Sequence, residues 1–128
     1  MNFVDCRLEN EGGQFYTVAA GMKLRLPDER AAKLAGSAGK EMVLGIRPEY
    51  ISHAPGGQES QSRTRFRGSV CMVELLGSEK LVHIRIGEST LIARLAPRVP
   101  LKLGDVADFE VNTDLVHVFT RDTEMAIL

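Results

Sequence analysis

The chain has 128 residues, 44% apolar, 26% charged and 5% aromatic, and its 16 Lys and Arg against 17 Asp and Glu leave a net charge of −1. That length fits one domain able to bury a core without staples, and the near-neutral charge argues against a nucleic-acid binder that works through bulk positive charge. The apolar content excludes a disordered chain, no apolar run reaches the roughly 20 residues of a bilayer span, and two cysteines, Cys6 and Cys71, are too few for a disulfide scaffold.

In chain order, Phe3 to Glu9 reads as a strand, Asn10 to Gly13 as a turn, and Phe15 to Ala19 as the returning strand, broken at Gly21. Met22, Leu24 and Leu26 alternate with Lys23 and Arg25, so they share one strand face until Pro27. Asp28 to Ala35 is the one helix expected, about two turns long, with acids in its first turn and Gly36 closing it in a left-handed conformation. Met42 to Ile46 carries too few polar residues to be half exposed and is expected to be a central strand. Pro48 holds Arg47 extended. His53 to Ser62 is polar and rich in Gly, Ser and Gln, as in a surface loop.

Thr64 to Leu76 is the longest strand. Phe66, Val70 and Met72 share one parity and Val73 and Leu75 the other, which predicts a β-bulge or bend near Val73 or Glu74. Gly77 turns the chain, Leu81 to Ile86 alternates, and Thr90 to Leu95 pairs back across Gly87-Glu88. After the turn at Leu103 to Asp105, Ala107, Phe109 and Val111 share a face, and Leu115 to Phe119 is the last strand. The pattern predicts an all-β chain of small curled barrels of the oligonucleotide/oligosaccharide-binding (OB) type with one short helix; a sandwich remains open on periodicity alone.

A search for chemistry yields none. Gly39-Lys40 fails the phosphate-loop pattern at Leu34 and at Glu41. His53, His83 and His117 have no partners at metal-ligand spacing; His83 and His117 are expected on outward strand faces, and no metal is expected. No nucleophile elbow exists, and Cys71 reads as a small packed hydrophobe. Arg63, Arg65 and Arg67 fall on one strand face. They read either as an anion or acidic-partner patch or as a solvated strand edge that discourages aggregation. Without exposed aromatics for base stacking, nucleic acid is not an expected partner.

Leu44-Gly45-Ile46-Arg47-Pro48-Glu49-Tyr50-Ile51 resembles the Leu-Gly-Ile-Arg-Pro-Glu-His-Ile signature of the C-terminal regulatory domain in ABC importer ATP-binding subunits of the maltose and sn-glycerol-3-phosphate type. Met1-Asn2-Phe3, Val73 to Glu79 with Val82-His83, Leu103 to Asp105 and Val116 to Phe119 resemble further family segments in the same order. Val118 and Thr120 depart from the family's closing His-Leu-Phe-Asp, no Gly follows, and Tyr50 replaces its usual His, so no role of that His is carried over. The resemblance implies a transport-associated OB (TOBE) domain, residues 1–128, with first-lobe strands and the helix in 1–41 and the OB core in 42–121. It implies no catalysis and no cofactor here, with ATP and Mg in an ATPase domain absent from this chain. It further implies a homodimer through this domain, membrane permease subunits as partners, a regulatory protein or small ligand in some members, and a cytoplasmic place at the inner face of the membrane.

Gly45, Arg47, Pro48, Glu49, Gly77 and Glu79 are the candidate interface residues. Gly45 permits close backbone approach, and Pro48 fixes the turn. Arg47 and Glu49 leave the barrel near one point, either as a surface ion pair worth under ~1 kcal/mol or as a charge pair meeting a partner. Gly77 and Glu79 belong to a rim turn, read as turn chemistry or contact surface. Two other classes stay open: a stand-alone OB-type module binding an oxyanion or small sugar, and an RNA-binding barrel, which the charge disfavours.

Overall fold

The computed structural model describes residues 1–19, 21–34, 36–57 and 63–121. Strand β1 (Asn2–Glu11) turns through Gly12 and Gly13, both at positive φ, into β2 (Gln14–Ala19), and β3 (Met22–Arg25) follows. Beyond the helical turn come β4 (Glu41–Ile46), β5 (Ile51–His53) and the long β6 (Arg63–Leu75). The chain closes with β7 (Lys80–Ile86), β8 (Ser89–Leu95), β9 (Val106–Asn112) and β10 (His117–Thr120).

Among the described residues all pairings are antiparallel and form two five-stranded sheets, in the orders β10-β4-β1-β2-β3 and β5-β9-β6-β7-β8. The second sheet curls until its edge strands β5 and β8 approach each other. The inward faces fuse into one core: Leu8, Leu24, Leu44 and Ile46 from the first sheet meet Ile84, Leu91, Phe109 and Val111 from the second. The all-β expectation holds, and β4 is an interior strand as its apolar run requires.

The expected two-turn helix is shorter. A single α-turn, Asp28–Ala31, tightens into a 3₁₀ turn, Ala32–Leu34, without a side-chain cap. Among the described residues of the segment only Ala31 and Leu34 are buried, a three-residue spacing that the 3₁₀ turn serves, so packing anchors little of it. Ala35 lies outside the described residues, and Gly36 is not at positive φ; the left-handed glycine is Gly39.

The bulge falls two residues before its expected place. The β6–β7 register skips between Val70 and Met72, which leaves Cys71 as the extra residue. Parity inverts there, so Val73, not Met72, faces Val82, while Cys71 and Met72 are exposed. Cys71 is therefore not a packed hydrophobe; its Sγ donates to the His83 carbonyl at 3.5 Å. Both cysteines are free. The last strand begins at His117, after a turn that continues through Leu115, and pairs with β4. Of the expected surface loop, residues 58–62 lie outside the described residues.

Candidate functional site

The signature segment is a strand that ends at a fixed corner. Ile46 and Ile51 are both buried and clamp the four-residue link between them. Arg47 is extended, at φ −71° and ψ 143°, as a residue before proline must be. Pro48 opens the 3₁₀ turn Pro48–Tyr50, and the Tyr50 amide donates to the Arg47 carbonyl at 2.9 Å. With both ends pinned, Arg47 and Glu49 point to solvent, and they form no ion pair with each other. Their charges are presented outward, not spent on the turn.

Gly45 stands between Phe3 on β1 and His117 on β10. A Cβ there would lie 2.8 Å from Met1 Sδ and 3.0 Å from Phe119 Cε2, so the missing side chain is what lets these groups close over β4. The Phe3 and Phe119 rings are 6.1 Å apart and tilted, and the His117 ring is 6.2 Å from Phe119. Phe3, Val43, Phe119 and Thr120 line a shallow depression of ≈ 390 Å³ on the outer face of the first sheet. Phe3 is 64% exposed. The expectation of no exposed aromatics thus fails: outward parity along β1 places Phe3 where no core covers it.

Gly77 lies on a separate hairpin. It is at φ 74° with open space around it, and the Leu76 amide donates to the Glu79 carbonyl at 2.8 Å. The Glu79 carboxylate is 3.2 Å from Arg94 Nε on β8. Beyond the bulge the hairpin outruns the core. Met72, Leu75 and Leu76 are exposed, Leu75 to 75%. The loop before β9 is bonded to Val70 through Gly104 and Asp105, and it carries exposed Leu103 and leads into exposed Val106. From sequence, Phe3, Phe119, Leu75, Leu76 and Leu103 stand within family segments but not as interface residues; outward parity along β1 signals Phe3, whereas Met72 shares the parity of the inward Phe66 and Val70 until the bulge inverts it.

Arg63, Arg65 and Arg67 do share a face, but β6 is the central strand of its sheet and not an edge. Two acids of β9 offset most of their charge across the ladder: Arg63 meets Glu110 at 3.2 Å, and Arg65 and Arg67 share Asp108 at 3.1 and 4.0 Å. Arg65 also donates to the Ala54 carbonyl at 3.3 Å. The outward His83 lies with Nε2 3.2 Å from Glu74 Oε2. Among the described residues no three His, Cys, Asp or Glu side chains converge on a metal-sized space. The chosen residues thus form two groups, Gly45 to Glu49 at the β4 corner and Gly77 with Glu79 at the hairpin tip. No hydrogen bond or ion pair among the described residues joins the two.

Residues 1–51 match the MalK OB fold domain family and residues 44–119 the TOBE domain family. Similar curated proteins include the ABC transporter ATP-binding protein YurJ of Bacillus subtilis, 33% identical over 129 residues, covering 99% of this chain and 35% of that protein. The trehalose/maltose import ATP-binding protein MalK of Thermococcus litoralis is 32% identical, with 99% of this chain and 34% of that protein covered. The sn-glycerol-3-phosphate import ATP-binding protein UgpC of Escherichia coli is 32% identical, with 96% of this chain and 32% of that protein covered. The chain therefore spans about a third of the length of these relatives. Among solved structures, the cytoplasmic molybdate-binding protein ModG has the same fold, with a TM-score of 0.71 at 18% identity over 93% of this chain and 95% of that one. The agreement along nearly all of this chain with one part of importer subunits, and the TOBE match over more than half of the residues, mean that the chain belongs to the TOBE domain family as carried by the ATP-binding subunits of ABC importers.

Proposed function

We propose that this chain is the regulatory and dimerisation domain of the ATP-binding subunit of an importer of the sugar or glycerol-3-phosphate class, without catalysis of its own. Its parent polypeptide carries the ATPase domain, which binds ATP and Mg and works with membrane permease subunits at the cytoplasmic face. Regulation is mechanical: a partner or ligand that prefers one arrangement of the paired domains shifts the equilibrium by its difference in affinity.

The observation that carries the pairing is the exposed aliphatic surface at the β6–β7 hairpin. Met72 and Leu75 on β6 and Leu76 just after it lead into Gly77 and Glu79 and are exposed. Several large apolar side chains exposed on one hairpin suit a contact surface. Arg47 and Glu49, free of one another, suit directional contacts with a second partner.

Sedimentation of the chain tests the reading. A dimer that Leu75→Asp with Leu76→Asp converts to a monomer supports it; a chain that is monomeric at high micromolar concentration sinks it. ATP turnover by the isolated chain would remove the non-catalytic part. A stand-alone oxyanion-binding module draws on the shared fold with a molybdate-binding protein. Against it, Asp108 and Glu110 leave the three arginines of the row only one net positive charge. Molybdate that raises the melting temperature of the chain would favour that second reading.

A further inference from the structure

Among the described residues β8 is an edge strand, paired with β7 alone. The backbone groups of Ile92 that face away from β7 have no strand to meet. The Asn2 side chain takes that place: its Oδ1 accepts from the Ile92 amide at 2.8 Å, and its Nδ2 donates to the Ile92 carbonyl at 2.9 Å. Two opposed residues in an antiparallel ladder exchange the same pair of bonds. Nδ2 also donates to the Ile46 carbonyl at 3.1 Å, and Asn2 is 8% exposed. One buried carboxamide thus ties β1 and β4 of the first sheet to the free edge of β8 in the second.

We infer that Asn2 is a mechanical coupling residue, through which a displacement of the chain at the start of β1 moves both sheets as one body. Apolar contacts between sheets can slide, because burial is indifferent to direction. Hydrogen bonds are directional, and two of them on one residue fix both position and orientation. A pull delivered at β1 therefore reaches β8 directly and does not peel β1 from the second sheet. The inference rests on the reading of the domain as one that answers to the arrangement of an attached ATPase domain.

Amide hydrogen exchange on the 128-residue chain tests it. In the unsubstituted chain the Ile92 amide is expected to exchange slowly and with the denaturant dependence of the β1 amides, although it faces a free edge. In Asn2→Ala its exchange accelerates by about tenfold or more, the loss of one well-made buried bond, and the denaturant dependence disappears. The Ile84 amide keeps its rate. Asn2→Asp keeps Oδ1 but sets a second carboxylate oxygen against the Ile46 and Ile92 carbonyls, so Ile92 is expected to lose protection there as well. Fast exchange at Ile92 in the unsubstituted chain overturns the inference, and so does an unchanged rate in Asn2→Ala. The first of these needs no variant to fold. Neither measurement depends on pairing, so a monomeric chain that shows the Ile92 effect would remove the proposed dimerisation and leave the coupling standing.

Discussion

Thr64 and Arg25 sit on different sheets, yet the Thr64 hydroxyl accepts from the Arg25 amide at 3.1 Å and donates to the Arg25 carbonyl at 3.4 Å. β3 is an edge strand, and this hydroxyl caps its free side much as Asn2 caps β8. Thr17 provides the contrast. It is as deeply buried as Thr64, but its Oγ1 has no partner. Thr64→Val is therefore expected to cost about 1–2 kcal/mol, because it strands two backbone groups. Thr17→Val, which removes an unsatisfied hydroxyl at nearly constant shape, is expected to be neutral or to stabilise by up to about 1 kcal/mol. Urea unfolding of both variants at equal m-value is the check; equal losses would show that the hydroxyl bonds do not matter.

Two glycines in strands are expected to respond differently to a methyl group. At Gly68 an added Cβ would collide with Ile84 Cγ2 and lie 3.1 Å from the Arg85 carbonyl oxygen, which is backbone in the adjacent strand and cannot yield. Gly68→Ala is expected to cost about 1–3 kcal/mol. At Gly45 the obstacles are Met1 Sδ and Phe119 Cε2, both side-chain ends. Gly45→Ala is expected to cost less than about 1 kcal/mol, since a thioether repacks readily. Thermal melts rank the two, and the reverse order would contradict the geometry.

Asp108 holds two arginines of one row, Arg65 and Arg67. Asp108→Asn leaves those like charges side by side, and a loss of about 0.5–1 kcal/mol is expected at low salt. Salt screens the repulsion, so the loss should shrink as ionic strength rises from about 0.01 M to 1 M. Denaturation midpoints at the two ionic strengths decide it; a loss independent of salt would mean that the carboxylate acts through hydrogen bonding alone.

The two cysteines are expected to differ in reactivity. Burial, reinforced by the neighbouring Asp5 carboxylate, pushes the Cys6 thiol up to about 12, whereas Cys71 is exposed. At pH 8 the native chain should take up one equivalent of alkylating reagent, at Cys71, and two once unfolded. The raised group holds its proton in the folded state while the unfolded thiol, near 9.0, releases it. The unfolded state then binds fewer protons, and stability falls by about 1.4 kcal/mol per pH unit between about pH 9 and 12. Cys6→Ala should remove that slope in pH-dependent urea unfolding; an unaltered slope would assign it to other groups.

The bulge marks where local pattern stops being sufficient. The parity change along β6 is visible in the chain, but its place is not, because Met72 and Val73 are both apolar and either could face inward. Pairing with β7 decides it, since Val82 needs an apolar partner and Val73 supplies one. Cys71 and Met72 are exposed as a consequence, which a count of hydrophobic neighbours along the chain cannot reveal. The helix failed for a related reason: its end residues suit a helix, but among its described residues only Ala31 and Leu34 find a core.

What the residues determine alone are features set by neighbours in sequence: alternation that places apolar side chains on one strand face, glycines that open turns, and a proline that holds Arg47 extended. The corner signature was legible for the same reason. Only the tertiary structure decides which strands meet. β10 returns to β4, Asn2 reaches Ile92 from 90 residues away, and the arginine row finds its acids on β9. These choices depend on distant groups whose hydrogen bonds and charges must be satisfied together once water is excluded, and no local pattern encodes that requirement.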